Sequence, residues 1–98
     1  MKISEAAKAL ESLGNETRLG IFRTLVRAGL DGLPVGRLQQ RLGIPGSTLS
    51  HHIGHLVNCK LVTQKREGRI LRCTVNYAKM NALVAYLVKE CCQDAGGC

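Results

Sequence analysis

Residues 35–75 read VGRLQQRLGIPGSTLSHHIGHLVNCKLVTQKREGRILRCTV, and this stretch decides the fold. Val35, Leu38 and Leu42 recur at helical spacing and predict a short helix over about 35–42. Gly43-Ile44-Pro45-Gly46 is a tight break. Leu49, Ile53, Leu56 and Val57 then form the apolar stripe of a second helix over about 47–59. Leu61–Lys65 and Arg69–Val75 read as two strands turning around Arg66-Glu67-Gly68. Gly68 supplies the positive φ that a tight hairpin needs.

Helices flank this unit. Ile3, Ala6, Ala7, Leu10 and Leu13 predict a first helix that Gly14 ends. Asn15 is placed to cap a second helix, with Leu19, Phe22, Leu25 and Val26 turned inward, ending near Gly29. Residues 29–34 read as a turn. A final helix over about 77–92 carries a stripe of Met80, Leu83, Val84, Leu87, Val88 and Cys91. The expected architecture is mainly α with a small β-hairpin, in the order ααααββα. Helix, short break, helix and charged hairpin together make the pattern of a winged helix-turn-helix. The 98 residues form one domain, 1–98, with no internal repeat or linker. A chain of this length buries roughly 60–68% of its unfolded surface, so the core is thin and dimerisation is an expected source of stability.

Charge points to the partner. Fourteen Lys and Arg against seven Asp and Glu leave +7, which favours a polyanion, nucleic acid before membrane. No apolar run approaches a membrane span and no signal peptide is read, so a cytoplasmic chain is expected. No Cys-x-x-Cys, phosphate-cradling loop or nucleophile–base arrangement suggests an enzyme. In helix-turn-helix proteins the second helix enters the major groove with its N-terminal side chains on base edges. Here those are Ser47, Thr48, Ser50 and His51, with His52 at the edge of the apolar face. Lys65, Arg66 and Arg69 surround the hairpin tip and suit a wing on phosphates. Blander readings stand beside these: a structural tri-helix, Ser47 as a helix cap, a solvated hairpin end, and His52 partly buried in a hydrogen bond. A zinc site built on His51, His52 and His55 is disfavoured, because it would compete with DNA.

Three of the five cysteines fall in the last eight residues, Cys91, Cys92 and Cys98, with Gly96-Gly97 between. Such a cluster is a soft thiolate trap if the glycines turn the tail back. On a helix, adjacent thiols project about 100° apart and need that third sulfur or local unwinding to share an ion. Cys59 and Cys73 read as small buried hydrophobes.

Residues 13–25, LGNETRLGIFRTL, resemble the opening signature of the ArsR (arsenic repressor) family of bacterial winged-helix regulators. Residues 47–56, STLSHHIGHL, are similar to its recognition helix, and Leu61-Val62 followed by Lys65-Arg66-Glu67-Gly68-Arg69 to its wing. The resemblance spans 3–90 and implies a homodimeric repressor, joined through its first and last helices, on an inverted-repeat operator in double-stranded DNA. The family's Cys-Val-Cys metal site is replaced by Pro34-Val35-Gly36, and the last helix lacks the His and Asp of its zinc sites. Cys91-Cys92 and Cys98 are similar to a subgroup of arsenic repressors with an adjacent pair and a later third cysteine. That implies As(III) as inducer, with Sb(III) as an equal fit and no organic cofactor. A pyramidal trivalent ion is satisfied by three thiolates, whereas zinc takes four ligands. A thiol-redox or persulfide switch, or a Cd/Zn-responsive repressor, stands as the alternative on the same scaffold.

Overall fold

The computed structural model describes residues 1–97. Its elements are α1 (Ile3–Leu13), α2 (Glu16–Ala28), β1 (Leu33–Pro34), α3 (Val35–Leu42), α4 (Gly46–Asn58), β2 (Val62–Glu67), β3 (Ile70–Val75) and α5 (Tyr77–Val88), then a 3-10 turn at Gln93–Ala95. Five helices and an antiparallel sheet in the order β1-β3-β2 make a winged helix-turn-helix.

Asn15 starts α2 as expected, its side chain accepting from the Arg18 backbone N–H at 3.0 Å. Asn76 does the same for α5, accepting from Lys79 N–H and donating to the Lys60 carbonyl. The helix-turn-helix break is made by Gly43 in the left-handed region, φ 63°, followed by Pro45 at the head of α4. Val62 through Glu67 pair with Val75 through Ile70, so β2 and β3 form a hairpin closed by Gly68-Arg69. Gly68 has φ 62° at the first central position, where a two-residue hairpin of the II′ kind wants glycine.

The core joins all layers. Ile21 and Leu25 of α2, Leu38 of α3, Leu49, Ile53 and Leu56 of α4, and Leu61, Val62 and Cys73 around the sheet are fully buried. Aromatics contribute little beyond Phe22, so the interior is aliphatic. Ala6 and Ala9 let α1 approach the core closely. Cys73 is the buried hydrophobe expected of it, and burial pushes its thiol pKa up. Cys59 is half-buried, its Sγ on the Leu56 carbonyl.

Several expectations are corrected. The first turn-like segment contains a strand: Leu33 and Pro34 pair with Cys73 and Arg72 as a two-residue edge. Proline tolerates that edge, and the same Pro34 heads α3. Gly32 brings the loop against β3 so closely that a Cβ would lie 1.9 Å from the Cys73 carbonyl oxygen. The recognition helix starts and ends one residue earlier than read, at Gly46 and Asn58. Leu19 is 43% exposed rather than inward, because Ile21, Phe22 and Leu25 define the buried side of α2. In α1 the buried side is Ala6, Ala9 and Ser12, leaving Ile3 and Leu10 outward. Finally, α5 stops at Val88, not at Cys92. Its last apolar residues, Val84, Leu87 and Val88, are exposed, and helices draw most of their stability from packing. Among the described residues no helix is long and apolar enough to cross a membrane.

Truncating the buried face of α4 should be costly. Leu56→Ala is expected to lower unfolding stability by about 2–5 kcal/mol. Leu30→Ala, in an exposed loop, should stay within about 0.5 kcal/mol. Urea denaturation of the two variants beside the wild type checks this.

Candidate nucleic-acid interface and thiol tail

Burial of Leu49, Ile53 and Leu56 fixes the rotation of α4. At 3.6 residues per turn the opposite side must then carry Ser47, Ser50, His51 and Gly54, and all four are exposed. Thr48 is exposed at the same end. The head of the helix, Pro45, gives no side-chain cap, and the first intrahelical bond is Leu49 N–H to the Pro45 carbonyl. Ser47 lies inside the helix, so the capping role left open for it falls away. The first-turn amides point forward without a side-chain partner from the cap, beside three small hydroxyls.

His51 and His55 stand one turn apart with ring centroids 4.8 Å from each other. His52 differs from both. It is half-buried and meets α2, where the Arg18 guanidinium lies 3.3 Å from its Nδ1. This is the partly buried, hydrogen-bonded role that the sequence had left open. Arg18 also donates to the Ser12 carbonyl at 2.6 Å. An arginine can only donate, so Nδ1 must accept and the ring is neutral with its proton on Nε2.

The wing presents Lys65, Arg66 and Arg69, all exposed. Glu67, the acid at the tip, is already paired with Arg72 at 2.9 Å. Arg72 also donates to the Asp31 carbonyl, so it braces the base of the hairpin instead of adding to the tip charge. Thr63 and Thr74 hydrogen-bond across the strands at 2.8 Å. The hairpin is thus held in shape by groups other than its three outward cations.

At the other end of the chain, Glu90 and Cys92 adopt left-handed conformations, φ 60° and 61°, immediately after α5. This turn brings the Cys91 and Cys92 sulfurs to 3.6 Å. The expectation of two helical thiols about 100° apart is therefore corrected: the unwinding is already built into the chain. Gly97 N–H returns to the Cys92 carbonyl at 2.9 Å, with Gly96 and Gly97 both at positive φ. The backbone thus turns back on Cys92 at the two glycines, while the expected return of the third thiol concerns Cys98. Cys98 lies outside the described residues. Among the described residues no group of three or more His, Cys, Asp or Glu is gathered for a metal. What the sequence reading missed here is Arg18, whose only signal was its place three residues after a capping asparagine.

A family model described as helix-turn-helix domain matches residues 13–65. The repressor BigR of Xylella fastidiosa superposes with a TM-score of 0.69 at 32% identity, covering 91% of this chain and 88% of that one. An ArsR-like transcriptional regulator from Rhodococcus sp. RHA1 gives a TM-score of 0.74 at 27% identity, over 86% of this chain and 76% of that chain. A Halobacterium salinarum protein named as an arsenical resistance operon repressor is 33% identical over 61 residues, 62% of this chain. The chain spans about half the length of that curated relative, 50%. The chain belongs to the helix-turn-helix domain family, and its winged-helix fold is similar to that of the ArsR-like regulator and of BigR.

The His52 contact has a pH signature. Burial first, then the Arg18 cation, with His51 and His55 adding, hold its pKa below the ordinary 6.5. The unfolded chain takes up this proton near 6.5 and the folded chain only at lower pH. Between those values the unfolded state binds more protons, so stability falls as pH drops through 6.5 toward the folded value. His52→Asn, which keeps an acceptor near Nδ1 but cannot be protonated, should lose less stability between pH 7 and pH 5 than the wild type. Urea unfolding at both pH values checks it, and equal losses would contradict it.

Proposed function

We propose that this chain is a dimeric transcriptional repressor that binds an inverted-repeat operator and is released when As(III), or Sb(III), is held by the tail thiols. The observation that supports the sulfur half of this reading is the pair of sulfurs 3.6 Å apart just after α5; Cys92 is disulfide-bonded in this structure, so the reading applies to the reduced chain. For scale, two Zn–S bonds of about 2.3 Å at a tetrahedral angle span about 3.8 Å, so the separation suits a thiophilic ion in general and does not by itself choose arsenic. The folded-back glycines support Cys98 as the third ligand beside Cys91 and Cys92. The name of the Halobacterium salinarum relative favours arsenic over the alternatives of redox, persulfide, cadmium or zinc.

The DNA half rests on form and charge. Ser47, Thr48, Ser50 and His51 are the groups that meet base edges or phosphates, with His52 setting their helix from behind. Hydroxyls serve bases or phosphates with little base preference, so most of the sequence reading falls to His51. Lys65, Arg66 and Arg69 follow the backbone of the flanking groove. Dimerisation is supported by Ile3, Leu10, Val84, Leu87 and Val88, exposed apolar residues on α1 and α5. The two helices are tied to each other by Lys79 and Glu5 at 3.2 Å. A two-fold partner on this face would cover the patch and set two recognition helices about 34 Å apart, one turn of DNA. With operator DNA as its partner, the site of action is the cytoplasm.

Arg66→Ala and Arg69→Ala should each weaken binding to operator and unrelated DNA alike. Each should reduce the slope of log affinity against log salt by about 0.9, one phosphate contact. Ser50→Ala and His51→Ala should instead erode the preference for operator. Fluorescence anisotropy across a salt series separates the two classes.

The inducer is tested by titrating the protein–operator complex with As(III), Sb(III), Cd(II), Zn(II) and peroxide side by side. As(III) and Sb(III) are expected to release DNA, and operator DNA to weaken As(III) binding by the same factor, about 5–150-fold. Cys91→Ser, Cys92→Ser and Cys98→Ser should keep repression and blunt release, while Cys59→Ser and Cys73→Ser should respond normally. Release by peroxide that a reductant reverses, with no response to As(III), would put the redox reading in its place.

A further inference from the structure

Arg18 is a charged side chain turned inward among three helices. Its backbone is pinned by the Asn15 cap at the start of α2. Its Nε donates to the Ser12 carbonyl in the last turn of α1, and its Nη1 reaches Nδ1 of His52 in the middle of α4. A cleft of about 330 Å³ opens beside it between α1 and α4, lined by Ser12, Arg18, His55 and Cys59 among others. The hydroxyl of Ser12 is buried there without a hydrogen-bond partner. Apolar contact alone therefore does not fill the gap between these two helices at this level. The guanidinium fork is rigid, and its donors leave in fixed directions. One such group on two acceptors from different helices fixes the distance and the rotation between them. On the reading given above, α1 belongs to the dimer face and α4 to the operator.

We propose that Arg18 is a positioning residue for operator recognition: a strut that holds the recognition helix, through His52, at a set place relative to the dimer helix α1. It touches no DNA itself. An arginine that merely neutralised the C-terminal end of α1 would need the Ser12 contact and not the one to His52. Lysine cannot replace it, because a single ammonium point does not span both acceptors in the same geometry. Asn at position 52 can present an acceptor near Nδ1, whereas Leu cannot.

The proposal rests on the DNA-binding reading, and the test separates the two. Affinity for operator and for unrelated DNA is measured at one salt concentration for wild type, R18Q, R18K, H52L, H52N and the R18Q/H52L pair. Amide hydrogen exchange across residues 47–58 is followed in the same proteins without DNA. R18Q and H52L should each lower the operator-to-unrelated ratio about tenfold, the scale of one lost charge-assisted bond. The double variant should lose no more than either single one, since both break the same contact. H52N should hold the ratio near wild type, R18K should not, and exchange across 47–58 should quicken in R18Q and H52L. The proposal is overturned if the two losses multiply, if R18Q weakens both DNAs equally with a smaller salt slope, or if exchange across α4 stays at the wild-type rate. If R18Q does not fold, R18K and the two His52 variants decide by the same criteria. If wild type itself shows no preference for operator, the DNA reading has failed, and the exchange rates alone decide whether the strut exists.

Discussion

The buried side of α4 governs the rest of the molecule. Leu49, Ile53 and Leu56 are closed off from water against α1, α2 and the sheet. Each contributes on the order of 1.5–3 kcal/mol by leaving water, which no surface contact in this chain can match. Because a helix is rigid at 3.6 residues per turn, this one burial choice determines what α4 shows to the outside. Rotating it by one residue would bury Ser50 and expose Leu49. The hydroxyl and imidazole face is thus a consequence of core packing, and the polar strut from Arg18 refines a position that the hydrophobic contacts already define.

The hairpin follows a similar logic on a smaller scale. Val62, Cys73 and Val75 anchor one end of β2 and β3 in the core, and the remainder of the ribbon leaves the body. Beyond the core it depends on cross-strand pairs, Thr63 with Thr74 and Glu67 with Arg72, each worth about a kcal/mol or less. An exposed two-stranded ribbon is marginal alone. Its three free-facing cations add mutual repulsion, which a polyanion relieves. The wing is therefore the part of the fold with most to gain from DNA.

Periodicity made the helices legible, because Leu49, Ile53 and Leu56 or Phe22 and Leu25 repeat at a spacing no strand could bury. The turn glycines and the Asn15 cap were equally plain, since each acts through its own backbone, whereas the Asn76 cap was not read. Less legible were features that depend on a distant partner. The two residues of β1 carry no periodic signal, and they become a strand only because β3 offers an edge. Arg18 looks like any surface cation until α1 and α4 converge on it. The apolar residues of α1 and α5 obeyed helical spacing, yet spacing could not tell which of them face the chain's own core and which remain exposed. The end of α5 was overextended for the same reason: the stripe continues into Cys91, while the packing that would sustain the helix does not. In the candidate site, residue types and order could be read, but His52's turn toward Arg18 and the approach of the two tail sulfurs needed coordinates.

The tail follows α5 while the reading head lies near the middle of the chain, and α5 and α1 form the physical route between them. A change at Cys91 and Cys92 acts on the end of α5, next to Val88 and Leu87, the residues proposed to meet the second copy. From there α1 reaches α4 by direct packing and through Arg18. The most direct test of this account is the mass of the operator complex by sedimentation, before and after one equivalent of As(III) per chain. The account predicts two chains on each inverted repeat without As(III), and free DNA with a dimeric protein after it. A single chain per operator, or a complex whose mass As(III) leaves unchanged, would contradict it.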